Sequence, residues 1–228
     1  MKKFILLPLA VFLAAFSFAQ KNTSTKSDIS FGVRAGLSHS GIRGDAANNL
    51  DDLLDFSGGA ITTKNVTGFY AGGYAIVPLT EGITLEPGVF YSEKGYEMVG
   101  ELNLKGIGFL AANAKARLQS QYIDVPLLLK VDLGSGLQIF AGPQFSYLAK
   151  ANLHSTAGLL GINLLNNDMD VTKQFNQWDA GVTGGVGYKL TNGINISASY
   201  DYGLSKIDAN KNTNAYNHAF KVGIGIDL

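Results

Sequence analysis

The chain has 228 residues and a formal net charge of +0, so its charge balance points to no polyanionic partner such as nucleic acid. Hydrophobic residues make up 46% and charged residues only 16%, where a soluble domain usually carries about 25% charge. There is no cysteine, which excludes a disulfide framework, a thiolate metal centre and a lipidated cysteine at the start of a mature chain.

The N-terminus comes first in chain order. Lys2 and Lys3 precede an apolar run over 4–16, and Ser17-Phe18-Ala19 supplies small residues where a signal peptidase needs them. This pattern predicts a signal peptide over 1–19, because the run is too short to span about 30 Å of hydrocarbon. A polar stretch over 20–28 reads as a flexible lead, and 29–228 as one domain. No long apolar stretch remains after residue 19. The remainder is therefore soluble outside the cytoplasm, or it crosses a membrane as strands.

From residue 29 a period of two sets in. Ile29, Phe31, Val33, Ala35 and Leu37 alternate with Ser30, Gly32, Arg34, Gly36 and Ser38, the pattern of a strand with one apolar face. It returns over 69–79, 83–95, 118–131, 137–148, 177–190, 194–204 and 216–228. Most of these runs are 11 to 14 residues long. Strands in globular proteins peak at about 5 or 6 residues, whereas a tilted strand crossing a bilayer needs about 9 to 11. The length disfavours a soluble β-sandwich.

The connections alternate in size. Tight turns are expected over 78–82, 132–136 and 191–193, rich in the Gly, Asn and Asp that hairpins require. Long loops are expected over 40–66, 96–115 and 150–174, and a shorter one over 206–214. Short turns at one end and long loops at the other predict an all-β, eight-stranded antiparallel up-and-down transmembrane barrel, with periplasmic turns and extracellular loops. Backbone groups in hydrocarbon must all be paired, so the first strand must close on the eighth. One loop segment, 157–165 (AGLLGINLL), is unusually apolar. It folds over the barrel mouth, dips into the membrane interface or meets a partner; the residues do not choose among these.

Alternation assigns a face to each side chain. Arg34, Lys94, Lys130, Lys189 and Lys221 fall on the inner face, as do Glu86, Asp124, Asp179, Asp201 and Asp227. Five charges of each sign predict a neutral, paired network in a narrow lumen, since an unpaired buried charge is too costly. The competing reading is a solute or ion pathway. Small inner residues (among them Gly32, Gly36, Gly88, Gly223 and Gly225) are expected to make room for the long charged side chains. Tyr70, Tyr91, Tyr147, Trp178, Tyr188, Tyr200, Tyr202 and Tyr216 are expected to form interfacial girdles.

Catalytic and metal chemistry find little support. His39, His154 and His218 all map near the extracellular end, and strand closure brings His39 and His218 together. With Ser38, Ser40 and Ser155 nearby in sequence, a lipid-modifying hydrolase can be drawn. No motif sets a base within reach of a nucleophile. Three scattered histidines also make a poor metal site, and no cofactor is implied.

The segments GFYAGGYAIVPL (68–79), ITLEPGVFYSEKG (83–95), YIDVPLLLKVDL (122–133) and LQIFAGPQFSYL (137–148), with the closing strand, resemble the PorT-like outer-membrane β-barrel family of the Bacteroidota type. The resemblance spans nearly all of the chain after residue 19. It implies an eight-stranded barrel in the outer membrane and no particular activity, because members are defined by fold. The expected function is a structural or surface-interaction role through the long loops, with a narrow porin as the alternative and a lipid-modifying enzyme behind it. The expected partners are outer-membrane lipid, the barrel-insertion machinery and an extracellular or envelope protein met through the loops.

Overall fold

The computed structural model describes residues 29–44, 61–103, 111–159, 162–207 and 214–228. The signal peptide and lead expected over 1–28 lie outside them. The described residues form nine strands: β1 (Ser30–Arg43), β2 (Ile61–Thr80), β3 (Ile83–Asn103), β4 (Ala111–Gly134), β5 (Leu137–Leu159), β6 (Ile162–Asp170), β7 (Trp178–Lys189), β8 (Ile194–Gly203) and β9 (Tyr216–Asp227). Every pairing is antiparallel. β1 pairs with both β2 and β9, and β4 pairs with β5, so eight of the nine strands close into a ring. β6 stands outside it. It pairs with β5 over 152–159, while 137–147 of β5 pairs with β7.

The turns at one end obey local backbone chemistry. Gly82, Gly134, Gly136 and Gly193 all have positive φ, and so does Ser135 at 53°. The Asp132 carboxylate accepts the Gly134 N–H at 2.9 Å and the Asn192 side-chain oxygen accepts the Ile194 N–H at 3.3 Å, the local bonds that favour Asp and Asn in turns.

Alternation becomes geometry in the ring. Leu37 (63% exposed), Phe145 (58%) and Ile224 (59%) point outward, into a belt completed by Phe31, Val89, Leu127, Val186 and Val222. A 12-residue strand such as β7 rises ~40 Å and, tilted by ~45°, covers ~28 Å, about one hydrocarbon thickness. Among the described residues no helix is long and apolar enough to cross a membrane; the belt belongs to strands.

The structure corrects three expectations. First, most of 96–115 and 150–174 is not loop. β3 runs on to Asn103 and pairs with β4 up to Asn103↔Ala111, and β5 runs on to pair with β6. β2 likewise begins at Ile61. Beyond the apolar belt both faces of a strand meet water, so alternation fades while backbone pairing continues. A bulge between Gln121 and Tyr122 adds Ala149 to β5 and switches which residues face inward, so that Leu148 and Ala151 are both buried. The described residues of the apolar segment, 157–159 and 162–165, pair across β5 and β6, with Ala157↔Leu165 and Leu159↔Ile162 partnered.

Second, Tyr70 is not part of a girdle: it faces the lumen at 5% exposure. Trp178, Tyr188, Tyr200 and Tyr202 do face outward, and two outer pairs, Tyr147–Trp178 and Phe69–Tyr91, pack at 5.1 and 5.4 Å. Third, the inner glycines give way mainly to aromatic rings rather than to charged chains. A Cβ on Gly32 would strike the Tyr74 ring, and one on Gly223 would strike the Tyr70 hydroxyl.

The register yields a sharp prediction. Ala198 lies in an outward row with Val186 and Val222, and Ser199 lies inward beside Gly185 and Lys221. Arginine facing lipid near mid-bilayer costs about 2 to 4 kcal/mol, and crowding an inner position costs about 1 to 3 kcal/mol. In urea titrations in lipid vesicles, trimming Phe140, which borders the same inner space as Ser199, should restore stability to Ser199→Arg and not to Ala198→Arg. The opposite rescue would mean that the faces are swapped.

Candidate functional site: the charged lumen

Eight strands make a ring barely wider than its own side chains, so whatever points inward must fit and be satisfied. The inward residues form two polar tiers. In the tier near the tight turns, Arg34 of β1 holds Glu86 of β3 in a fork, with Nη1–Oε1 at 3.0 Å and Nη2–Oε2 at 3.3 Å. Lys130 of β4 pairs with the same carboxylate. The Arg34 guanidinium lies 4.4 Å above the centre of the Tyr74 ring. Tyr74 donates its hydroxyl to Asp227 at 2.7 Å, and Asn195 donates to both at 2.8 and 3.0 Å. Lys189 closes this tier on Asp227 at 2.7 Å; its side chain is 43% exposed, at the open end of the lumen.

Asp124 of β4 organises the second tier. It accepts bonds from Ser92 at 2.6 Å, Lys94 at 2.9 Å, Ser146 at 2.6 Å and Lys221 at 3.0 Å. Lys221 of β9 also reaches Asp201 at 2.7 Å, which further accepts from Thr183 at 2.6 Å and Gln144 at 3.2 Å. Asp179 accepts from Asn217 at 2.9 Å, its other oxygen has no partner, and no ion pair engages it among the described residues. Three cations meet two anions in the first tier, and two cations meet three anions in the second. The ten charges therefore cancel only when both tiers are counted.

Between the tiers sit Tyr70, Phe90, Phe140 and Leu128. Beyond the second tier, toward the long connections, Leu118, Tyr122, Leu148, Ala151 and Val171 form a buried apolar cluster with Tyr96, Leu153 and Phe175 against it. Val171 is held there by its N–H to Ala151 O at 2.9 Å, at the start of a short 3-10 turn (Thr172–Gln174). Two spaces in the lumen measure about 30 Å³, between the tiers, and about 10 Å³, beside Asp179 and Asn217.

The ten charged residues were marked by alternation alone. Tyr74, Asn195, Gln144, Ser146, Thr183 and Asn217, which complete their bonding, were not. Each sits on an inward position, so the signal was present in the same period, but a neutral polar residue there does not stand out. Among the described residues neither Ser38 nor Ser40 bonds to a histidine. Ser38 and Ser40 point inward and bond to backbone, Ser38 donating to Glu93 O at 2.7 Å and Ser40 to Val66 O at 3.3 Å. His39 points outward, beside Thr67 Oγ1 at 3.1 Å, and His218 stacks on Tyr200 with ring centres 6.1 Å apart. His154 pairs with Asp168 on β6. Among the described residues no group of three His, Cys, Asp or Glu is placed to hold a metal.

A closed eight-stranded ring with an apolar outer belt and a charge-filled interior defines an integral β-barrel membrane protein. Residues 18–209 match the family described as outer membrane protein beta-barrel domain; the chain belongs to that family, and its place is the outer membrane. Among solved structures it is similar to neisserial surface protein A, with 15% identity, 88% of this chain and 99% of that one covered, and a TM-score of 0.42. It is also similar to Ail, the attachment invasion locus protein of Yersinia pestis (11% identity, 87% and 99% covered, TM-score 0.38). OprG of Pseudomonas aeruginosa is a third (14%, 91% and 99%, TM-score 0.36). No curated protein sequence matches the chain.

Depth of burial ranks the lumen charges. Asp124→Asn leaves Lys94 without its ion-pair partner among the described residues and Lys221 with one of two, so it should cost about 3 to 5 kcal/mol. Lys189→Met, at the wet end, should cost less than about 1 kcal/mol. Urea unfolding in lipid vesicles checks both, and equal losses would show that water reaches Asp124.

Proposed function

We propose that the protein is a closed, non-conducting barrel that serves as a structural and surface-interaction element of the outer membrane, without a catalytic site. The observation that carries this reading is the filled lumen. Spaces of about 10 and 30 Å³ hold one or two isolated waters, since each needs roughly 10 to 15 Å³. Among the described residues, two ion-paired tiers and an apolar cap stand across the way of a hydrated ion. The ring is thus spent on stability, and what is free to meet other molecules is the sheet of β2 to β6 that rises beyond the belt. Its partner on this reading is an extracellular or envelope protein, and the barrel-insertion machinery delivers the chain to the membrane. The PorT-like placement within the wider family belongs to the same proposal, on the strength of the segments over 68–79, 83–95, 122–133 and 137–148.

Planar bilayers test the reading. Protein shown to be folded by its different gel migration before and after boiling should give no stable conductance steps. Reproducible porin-sized openings from that preparation would overturn the closed lumen and favour a narrow porin.

A further inference from the structure

Just beyond the belt, the outer face of the β3–β6 sheet carries three cross-strand rows: Glu93–Gln121–Lys150, then Gly95–Gln119–Asn152–Asp170, then Glu97–Arg117–His154–Asp168. The first row follows directly on the aromatic level of Tyr147 and Trp178, which pack at 5.1 Å and where the interface with water falls. Each row lies about 6.7 Å farther along the strands, about 4.7 Å higher at a tilt of ~45°, so the three climb through the headgroup layer. Arg117, Gln119, Lys150, Asn152, His154 and Asp168 border a groove of about 770 Å³.

The groove's charges are not equally committed. Asp168 is paired with His154. Asp170 accepts the Thr172 N–H at 2.9 Å, and bonds from Thr172, with the nearby charges of Lys150 and Lys173, hold its carboxyl below the ordinary carboxylate range. Arg117 is half-buried and its Nε is buried without a hydrogen-bond partner; Glu97 lies across from it on β3, but no salt bridge among the described residues engages Arg117 or Lys150. A half-buried guanidinium left unpaired in a concave site points to an anion from outside.

We propose that this groove binds the phosphorylated sugar head of an outer-leaflet glycolipid. Lys150 meets the phosphate nearest the membrane, Gln119 and Asn152 meet sugar hydroxyls, and Arg117 meets a second anionic group farther out. Three observations favour this ligand over a free ion. The volume far exceeds one phosphate. The two cations stand two rows apart, about 13 Å along the sheet. The site begins at the height where a lipid head is held, so anchoring gives it a high effective concentration. The proposal is independent of whether the lumen conducts.

The test uses the purified, folded protein in phosphatidylcholine nanodiscs, titrated with a diphosphorylated diglucosamine lipid and followed by native mass spectrometry. One glycolipid per barrel should be retained. Arg117→Gln with Lys150→Gln should weaken retention about ten-fold or more, the loss expected for bonds to charged groups. Lys64→Gln, which pairs across from Glu97 outside the groove, should leave it unchanged. The deacylated sugar phosphate should bind more weakly than the whole lipid. Undiminished retention in the double variant overturns the site, and equal binding of the deacylated head overturns the lipid as its ligand. Should the double variant not fold, each single glutamine variant is expected to lose part of the preference, and full preference in both overturns the proposal.

Discussion

The backbone must be hydrogen-bonded throughout the hydrocarbon layer, and the rest of the structure depends on how that is met. Water is absent there, so an open sheet edge would leave a row of N–H and C=O groups unpaired at several kcal/mol each. The chain answers by pairing β1 with β9 over twelve positions, from Gly32↔Asp227 to Arg43↔Tyr216. Once the ring closes at eight strands its bore is set. A narrow bore forces glycine wherever a Tyr70 or Tyr74 ring crosses it. It also forces each inner charge against a partner, because the same low dielectric that penalises a bare amide penalises a bare ion more. β6 shows the converse. Among the described residues no strand pairs with its second edge, and it lies beyond the belt, where water can satisfy that edge.

The two tiers divide the interior's electrostatics unequally. The tier near the tight turns has an excess of one cation, and the tier near the long connections has an excess of one anion, carried by Asp179. The ion pairs alone do not make the ring stable, since a well-packed apolar core of the same volume would often serve as well. What they supply is register. Arg34 to Glu86 ties β1 to β3, Lys94 to Asp124 ties β3 to β4, and Lys221 ties β9 to both β4 and β8. A strand slipped by one residue would turn these charges toward lipid.

The membrane-spanning part was legible in the sequence because lipid on one face and lumen on the other impose a strict period of two. Arg34, Asp124 and Lys221 each interrupt a polar face that alternates with Val33, Ile123 and Val222. The same logic fails beyond the belt. Asn152, Leu153, His154, Ser155 and Thr156 carry no apolar-polar contrast between water and lipid, and the Ala149 bulge shifts the phase, so β6 and the outer ends of β3 to β5 read as loop. Tyr70 escapes the pattern because an aromatic ring near a strand end fits a girdle and a lumen equally well. The glycines were assigned the wrong neighbours, since alternation gives the face of a residue and not what lies across from it.

Closure can be tested directly, because the chain has no cysteine of its own. Leu37 and Val222 face each other across the β1–β9 seam, and directly opposed residues have Cα atoms about 4.5 to 5.5 Å apart, within disulfide range. Cysteines placed at both positions, oxidised in the folded protein and run on a non-reducing gel, should yield an intramolecular disulfide in a monomer. Cross-linking only between molecules, or none while the protein remains folded, would contradict the closed ring.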